Sequence, residues 1–102
     1  MNITKENFQQ IITQIGYKVE PEFRFCPTRK FRADWKVSKN DRSVLIEYEG
    51  VVSAKARHTS IKGYSTDCEK YNLMTLMGFK FLRYTVLNFN NVIADLEKIL
   101  NE

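Results

Sequence analysis

The chain has 102 residues, 43% of them apolar and 13% aromatic, and a formal net charge of +4. That length suits one domain, residues 1–102, with apolar material enough for a real core. No stretch approaches the roughly 18–20 uninterrupted apolar residues of a membrane span, and the mild positive charge is compatible with a polyanionic partner without requiring one.

Phe8, Ile11, Ile12 and Ile15 recur at helical spacing, so residues 4–15 read as an amphipathic helix, with Thr4 as its cap and Gly16 as its stop. Alternation from Glu22 to Cys26 reads as a strand that breaks at Pro27-Thr28. Two more strands follow, Lys30–Ser38 and Ser43–Glu49, around a polar turn at Lys39-Asn40-Asp41-Arg42. Gly50–Gly63 has no period and reads as a loop rich in small and basic residues. A second helix is expected from Ser65 or Thr66 to about Met77, opened by a Thr66/Glu69 capping box and closed by Gly78. Phe79–Val86 reads as a strand and Asn91–Leu100 as a final helix capped by Asn90. The expected order is therefore αβββαβα, an α/β (α+β) class.

The central hairpin fixes geometry. With Asn40 and Asp41 as the central turn pair, Asp34 faces Glu47 and Arg32 faces Glu49. Side-chain alternation then puts Asp34, Glu47 and Glu49 on one face, and Trp35, Val37, Val44, Ile46 and Tyr48 on the other. A slip of one residue would split the apolar set, which supports the register. Leu45 is the exception on the acidic face. Three neighbouring carboxylates repel one another unless a cation balances them. Asp34, Glu47 and the Tyr48 carbonyl are an oxygen set of the kind hard divalent ions take. The competing reading is a solvated strand face whose acids pair with Arg32 and Lys36.

Basic residues crowd the middle of the chain: Arg24, Arg29, Lys30, Arg32, Lys36, Lys55, Arg57 and Lys62. His58 is the only histidine and follows Arg57 in the loop, where phosphate contact, an incidental surface position and proton transfer all stay open. Trp35, Phe23, Phe25, Phe79 and Phe81 lie at strand spacing and read as core, whereas Tyr64 and Tyr71 are the aromatics better placed for nucleic acid. Cys26 and Cys68 are too few and too far apart for a disulfide framework or a zinc knuckle, and read as reduced thiols. The polar start, MNITKENFQQ, has no signal-peptide pattern, so the expected compartment is the cytoplasm, with no membrane partner.

Phe31-Arg-Ala-Asp34 and Leu45-Ile-Glu-Tyr-Glu-Gly50 resemble the PD-(D/E)XK nuclease superfamily, and in particular its small phage and bacterial endonuclease-like proteins. Arg57-His58-Thr59, Gly63, Asp67-Cys-Glu-Lys-Tyr-Asn72 and Gly78-Phe-Lys-Phe-Leu-Arg83 continue the layout, over roughly residues 22–85. The resemblance implies a restriction-endonuclease-like αβββαβ core, a mixed central sheet flanked by helices, and Mg²⁺-dependent hydrolysis of DNA phosphodiesters, with Mn²⁺ as a substitute. It implies Asp34 and Glu47 as metal ligands beside the Tyr48 carbonyl. The family's proline before the first acid is Ala33 here, and the lysine of its third motif position is Glu49. The water-activating role then falls to Glu49, as a base or as ligand of a second metal, or to Lys70 on the following helix; the other reading of Lys70 is an ordinary solvated helix residue, and Arg83 reads as a strand residue that could pair with the acidic cluster. DNA contacts would come from Arg29, Lys30, Arg32, Lys55, Arg57, His58, Lys62 and Tyr64. The implied setting is DNA processing or recombination in a bacterial cell or phage-infected host, on branched or nicked DNA, with a homodimer as one way to widen the footprint. The alternative is a non-catalytic nucleic-acid-binding module, or a partner-dependent subunit, that keeps the nuclease fold.

Overall fold

Because the central hairpin carries apolar side chains on both of its faces, both faces need cover. In the computed structural model, which describes residues 2–49 and 61–101, helices supply it on each side. The order is α1 (Phe8–Gln14), β1 (Lys18–Arg24), β2 (Arg32–Lys39), β3 (Arg42–Tyr48), α2 (Ile61–Leu76), β4 (Phe81–Tyr84), a 3-10 turn (Phe89–Asn91) and α3 (Val92–Leu100). This is the αβββαβα order expected from the sequence.

The four strands form one mixed sheet in the order β1-β2-β3-β4. β1, β2 and β3 pair antiparallel, while β3 and β4 pair parallel, a pairing that requires the crossover in which α2 lies. The β2–β3 register runs from Trp35↔Ile46 to Lys39↔Arg42, as the turn predicted. Asn40 supplies the left-handed φ of 56° that turns the chain, a conformation asparagine tolerates better than most residues.

On one face, Trp35, Val37, Val44 and Ile46 pack with Phe8 and Ile12 of α1 and with Val92, Leu96 and Leu100 of α3. Phe89 centres this cluster, its ring 5.5 Å from Phe8 and 4.6 Å from Tyr48. On the other face, Leu45, Ala33, Phe25, Cys26 and Met74 form a second cluster flanked by Phe23, Phe79, Phe81 and Tyr71. Leu45 is thus no exception. It is fully buried beneath α2 and anchors the second core.

Several boundaries differ from expectation. β1 begins at Lys18, ahead of Glu22, and Pro21 lies inside it. Proline reads as a breaker, but β1 is an edge strand, where a missing N–H is tolerated. Val19 packs on the first core and Phe23 on the second, with Glu22 between them at φ 50°, a local twist that lets the strand change faces. α2 starts by Ile61, so residues 61–63 are helical where a loop was expected; the rest of that expected loop, residues 50–60, lies outside the described residues. Thr66 is therefore inside the helix, its hydroxyl donating to the Lys62 carbonyl at 3.0 Å, and no capping box forms with Glu69. Asn90 does not cap α3; its side-chain oxygen accepts the Ile3 N–H at 2.7 Å and ties down the N-terminal segment. Thr4 does open the first helical turn, its hydroxyl accepting the Asn7 N–H at 3.2 Å while Asn7 Oδ1 accepts the Thr4 N–H at 2.8 Å. Ile15, expected on the apolar stripe, falls beyond the end of α1 and is exposed.

Candidate active site

The three acids lie at the end of the hairpin away from its turn, where β2 and β3 meet α2 and β4. Glu47 is the one charged residue in the buried set of the described residues, at 5% exposure. Its Oε1 lies 2.5 Å from the Lys70 Nζ of α2, a buried ion pair. The Lys70 side chain is itself mostly covered, at 18% exposure. Burial pushes the Glu47 carboxyl up to about 7; the Lys70 ammonium opposes that shift, and the neighbouring Asp34 adds to it.

Asp34 comes from β2. Its Oδ2 accepts the Tyr48 N–H at 2.8 Å, a bond that ties the two strands together beyond their ladder and turns the carboxylate toward Glu47. Glu49 follows β3, with its N–H donating to the Tyr84 carbonyl at 2.8 Å. Its Oε1 accepts from Arg83 Nη2 at 2.7 Å and from the Tyr71 hydroxyl at 3.2 Å. The Arg83 guanidinium lies over the Tyr71 ring, 3.9 Å from its centroid. Burial and the charges of Glu47 and Glu49 push the Tyr71 phenol well above its usual range, so it stays protonated and donates. The Glu49 bond and the nearby Tyr71, Glu49 and Asp67 hold the Arg83 pKa above its usual value, against the desolvation that lowers it.

The face is therefore not a solvated one paired through Arg32 and Lys36. Lys36 lies over the Phe23 ring at 4.7 Å and 3.9 Å from Glu20, and the acids' counter-charges come from α2 and β4. Among the described residues, no three His, Cys, Asp or Glu side chains converge as a ready cation cage. What the site offers is two adjacent carboxylates, Asp34 and the buried Glu47, plus the carbonyl of Tyr48, the residue after Glu47 on β3. With waters completing the shell, that donor set fits a small hard divalent ion.

Of the expected DNA contacts, Arg29 ion-pairs with Glu69 of α2 and lies over the Phe31 ring at 4.6 Å. Its loop is braced by Arg24, which donates to the carbonyls of Cys26, Pro27 and Arg29 at 3.2, 3.2 and 3.1 Å. Lys30 and Arg32 are exposed at that loop, and Lys62 and Tyr64 are exposed on the first turn of α2. Lys55, Arg57 and His58 lie outside the described residues. Cys26 and Cys68 are both free thiols. Tyr71 is engaged by Phe81, Arg83 and Glu49 rather than presented outward.

The sequence offered Tyr71 as an aromatic for nucleic-acid contact and Arg83 as a strand residue that could pair with the acids, and placed neither in the site. The signal for Arg83 was there: it alternates with Phe79 and Phe81, which places it on the α2 face of β4. The register Glu47↔Arg83 completes a row of Asp34, Glu47 and Arg83 across three neighbouring strands.

No family model matches the chain, and no curated protein or solved structure matches it. No helix among the described residues is long and apolar enough to cross a membrane.

Proposed function

We propose that this chain is a metal-dependent DNA endonuclease of the PD-(D/E)XK kind, with the restriction-endonuclease-like core in which a mixed sheet carries the acids at one end. The observation that carries this reading is the convergence of Asp34, a buried Glu47 and Lys70 from three different elements. An isolated buried carboxylate is costly, and a chain retains one with a lysine against it where the charge has a use.

In this reading Asp34, Glu47 and the Tyr48 carbonyl hold Mg²⁺, or Mn²⁺ in its place. Bound there, the ion would polarise a phosphoryl oxygen and lower the pKa of its water. Glu47 must be ionised to bind, and its carboxyl titrates near 7, so the metal competes with a proton in the neutral range. Lys70 takes the part of the lysine that the superfamily carries at the position of Glu49. Its ammonium reaches the Glu47 carboxylate from α2, and it balances charge as the phosphate becomes more negative. Arg29, Lys30, Arg32, Lys62 and Tyr64 would contact the strand leading into the site, along with Lys55, Arg57 and His58.

The experiment is to incubate labelled linear, single-stranded, flapped and four-way-junction DNA with the protein in Mg²⁺, Mn²⁺ or EDTA, beside Asp34→Ala, Glu47→Ala and Lys70→Ala. Cleavage that needs metal and falls by about 10²-fold or more in each variant is the expected outcome. The second reading, a non-catalytic nucleic-acid-binding module, is favoured by the Glu47–Lys70 pair, which already neutralises itself. Salt-sensitive DNA binding in all four proteins with no cleavage of any substrate would establish it instead.

A further inference from the structure

Among the described residues, Arg83 is the second cation paired with the acids besides Lys70, and its environment is built for orientation. A lone arginine on a strand near the sheet edge would sample many rotamers. This one is stacked on Tyr71 at 3.9 Å and bonded to Glu49 at 2.7 Å, and Tyr71 in turn donates to the same Glu49 oxygen at 3.2 Å. Three elements thus fix one guanidinium: β4 carries it, α2 supplies the aromatic face, and the residue after β3 supplies the carboxylate. The side chain nevertheless stays 42% exposed, whereas its Glu49 partner is 18% exposed. A fixed, exposed guanidinium beside two carboxylates of a neighbouring pair is matched to an anion with two oxygens, because five N–H donors lie in one rigid plane.

Its place in the sheet says which anion. Glu47↔Arg83 is a register pair of the parallel strands, and both side chains project toward α2, where Lys70 meets one and Tyr71 the other. The row Asp34, Glu47, Arg83 therefore runs from two carboxylates to a cation within two strand spacings, roughly 10 Å. With the divalent ion that Asp34 and Glu47 would hold facing one oxygen, a phosphodiester spanning the row would meet Arg83 with its remaining charge.

We propose that Arg83 is a catalytic residue that binds the non-bridging oxygens of the scissile phosphate and stabilises their added charge in the transition state. Glu49 and Tyr71 are its positioning residues. This rests on the nuclease reading above, and it gives Glu49 a role other than base or metal ligand: it orients an arginine.

The test is steady-state cleavage kinetics, DNA affinity in Ca²⁺ or EDTA, and thermal denaturation for Arg83→Ala, Arg83→Lys, Glu49→Ala and the Arg83→Ala/Glu49→Ala double variant. Arg83→Ala is expected to lower kcat by roughly 10²–10³-fold with DNA affinity within about threefold of wild type. Arg83→Lys should recover little, since an ammonium lacks the planar fork, and millimolar guanidinium ion should partly rescue Arg83→Ala. Glu49→Ala should lower kcat in the wild-type background but add almost nothing to Arg83→Ala, because it acts through the arginine. Arg83→Ala with an unchanged kcat and a lowered melting temperature would overturn the role and leave Arg83 as a counter-ion. A weakened affinity at unchanged kcat would overturn it in favour of simple backbone binding. Additive losses in the double variant would return Glu49 to an independent role in the chemistry and overturn its assignment as a positioning residue. A wild-type protein that cleaves nothing in any metal would overturn the nuclease reading itself.

Discussion

At the scale of single residues, Glu47 dominates the energetics of the site. Its carboxyl titrates near 7 in the folded chain against an ordinary 4.5, so the native state binds a proton more tightly than the unfolded one. By linkage this residue favours folding least above pH 7, where the buried carboxylate is fully charged. The penalty relaxes as pH falls through the folded value and is gone below the unfolded one. Two and a half pH units correspond to on the order of 3 kcal/mol. Glu47→Gln does not titrate, so the stability of the variant relative to wild type should climb between about pH 4.5 and 7 and level off above, as read by urea denaturation at several pH values. A flat difference across that range would mean that the Lys70 contact holds Glu47 at its ordinary value.

At the scale of elements, the sites that end the helices matter most. α1 and α2 both stop at a glycine in a left-handed conformation, Gly16 at φ 111° and Gly78 at φ 87°. At Gly78 the N–H bonds the Thr75 carbonyl at 3.0 Å and the following Phe79 N–H bonds Met74 at 3.0 Å, the pattern that satisfies a helix's last carbonyls and delivers the next side chain to the core. A Cβ at Gly78 would meet no atom within 4 Å, so only backbone strain opposes it. Gly78→Ala should therefore cost about 1 kcal/mol in chemical denaturation, without a change in m-value. Both helix stops were legible because left-handed glycine is a local signal. The hairpin register was legible too, since the Asn40-Asp41 turn and a one-sided apolar set agree. Where the reading of the sequence departed from the structure, the cause was a long-range partner. Leu45 on an acidic face looks misplaced until α2 lies over it. Pro21 looks like a stop until β1 is known to be an edge strand. Thr66 looks like a cap because nothing local shows that the helix has already begun. At the site, the acids were legible from alternation alone and Lys70 from the order of motifs, whereas the grouping of Glu49 with Tyr71 and Arg83 depends on the parallel pairing of β3 and β4.

At the scale of the whole molecule, the sheet separates two apolar clusters with different work. The larger one, with α1 and α3, carries most of the buried side chains and supplies the rigidity. The smaller one, beneath α2, sets the height of Lys70 and Tyr71 over the acids. Leu45→Ala removes the fully buried centre of that second cluster and should cost about 2–5 kcal/mol. Because α2 would settle differently over Glu47, metal-dependent cleavage should fall as well, at temperatures where circular dichroism shows the chain still folded. Val44→Ala, equally buried but on the other face, should destabilise without that loss of rate.

The parallel pairing also has a consequence in time. β1, β2 and β3 follow one another closely and pair antiparallel, while β4 reaches β3 only after α2 has crossed the sheet. Loop closure favours the meander first and the crossover last. Until then, the Glu47 carboxyl stands in water at its ordinary value. The docking of α2 and β4 is the step that hides Glu47, and between about pH 4.5 and 7 that step draws a proton from solvent. Refolding followed by a pH indicator should show this uptake in its slowest phase, and mild acid should speed the arrival of the half of the chain that brings Lys70, Tyr71 and Arg83.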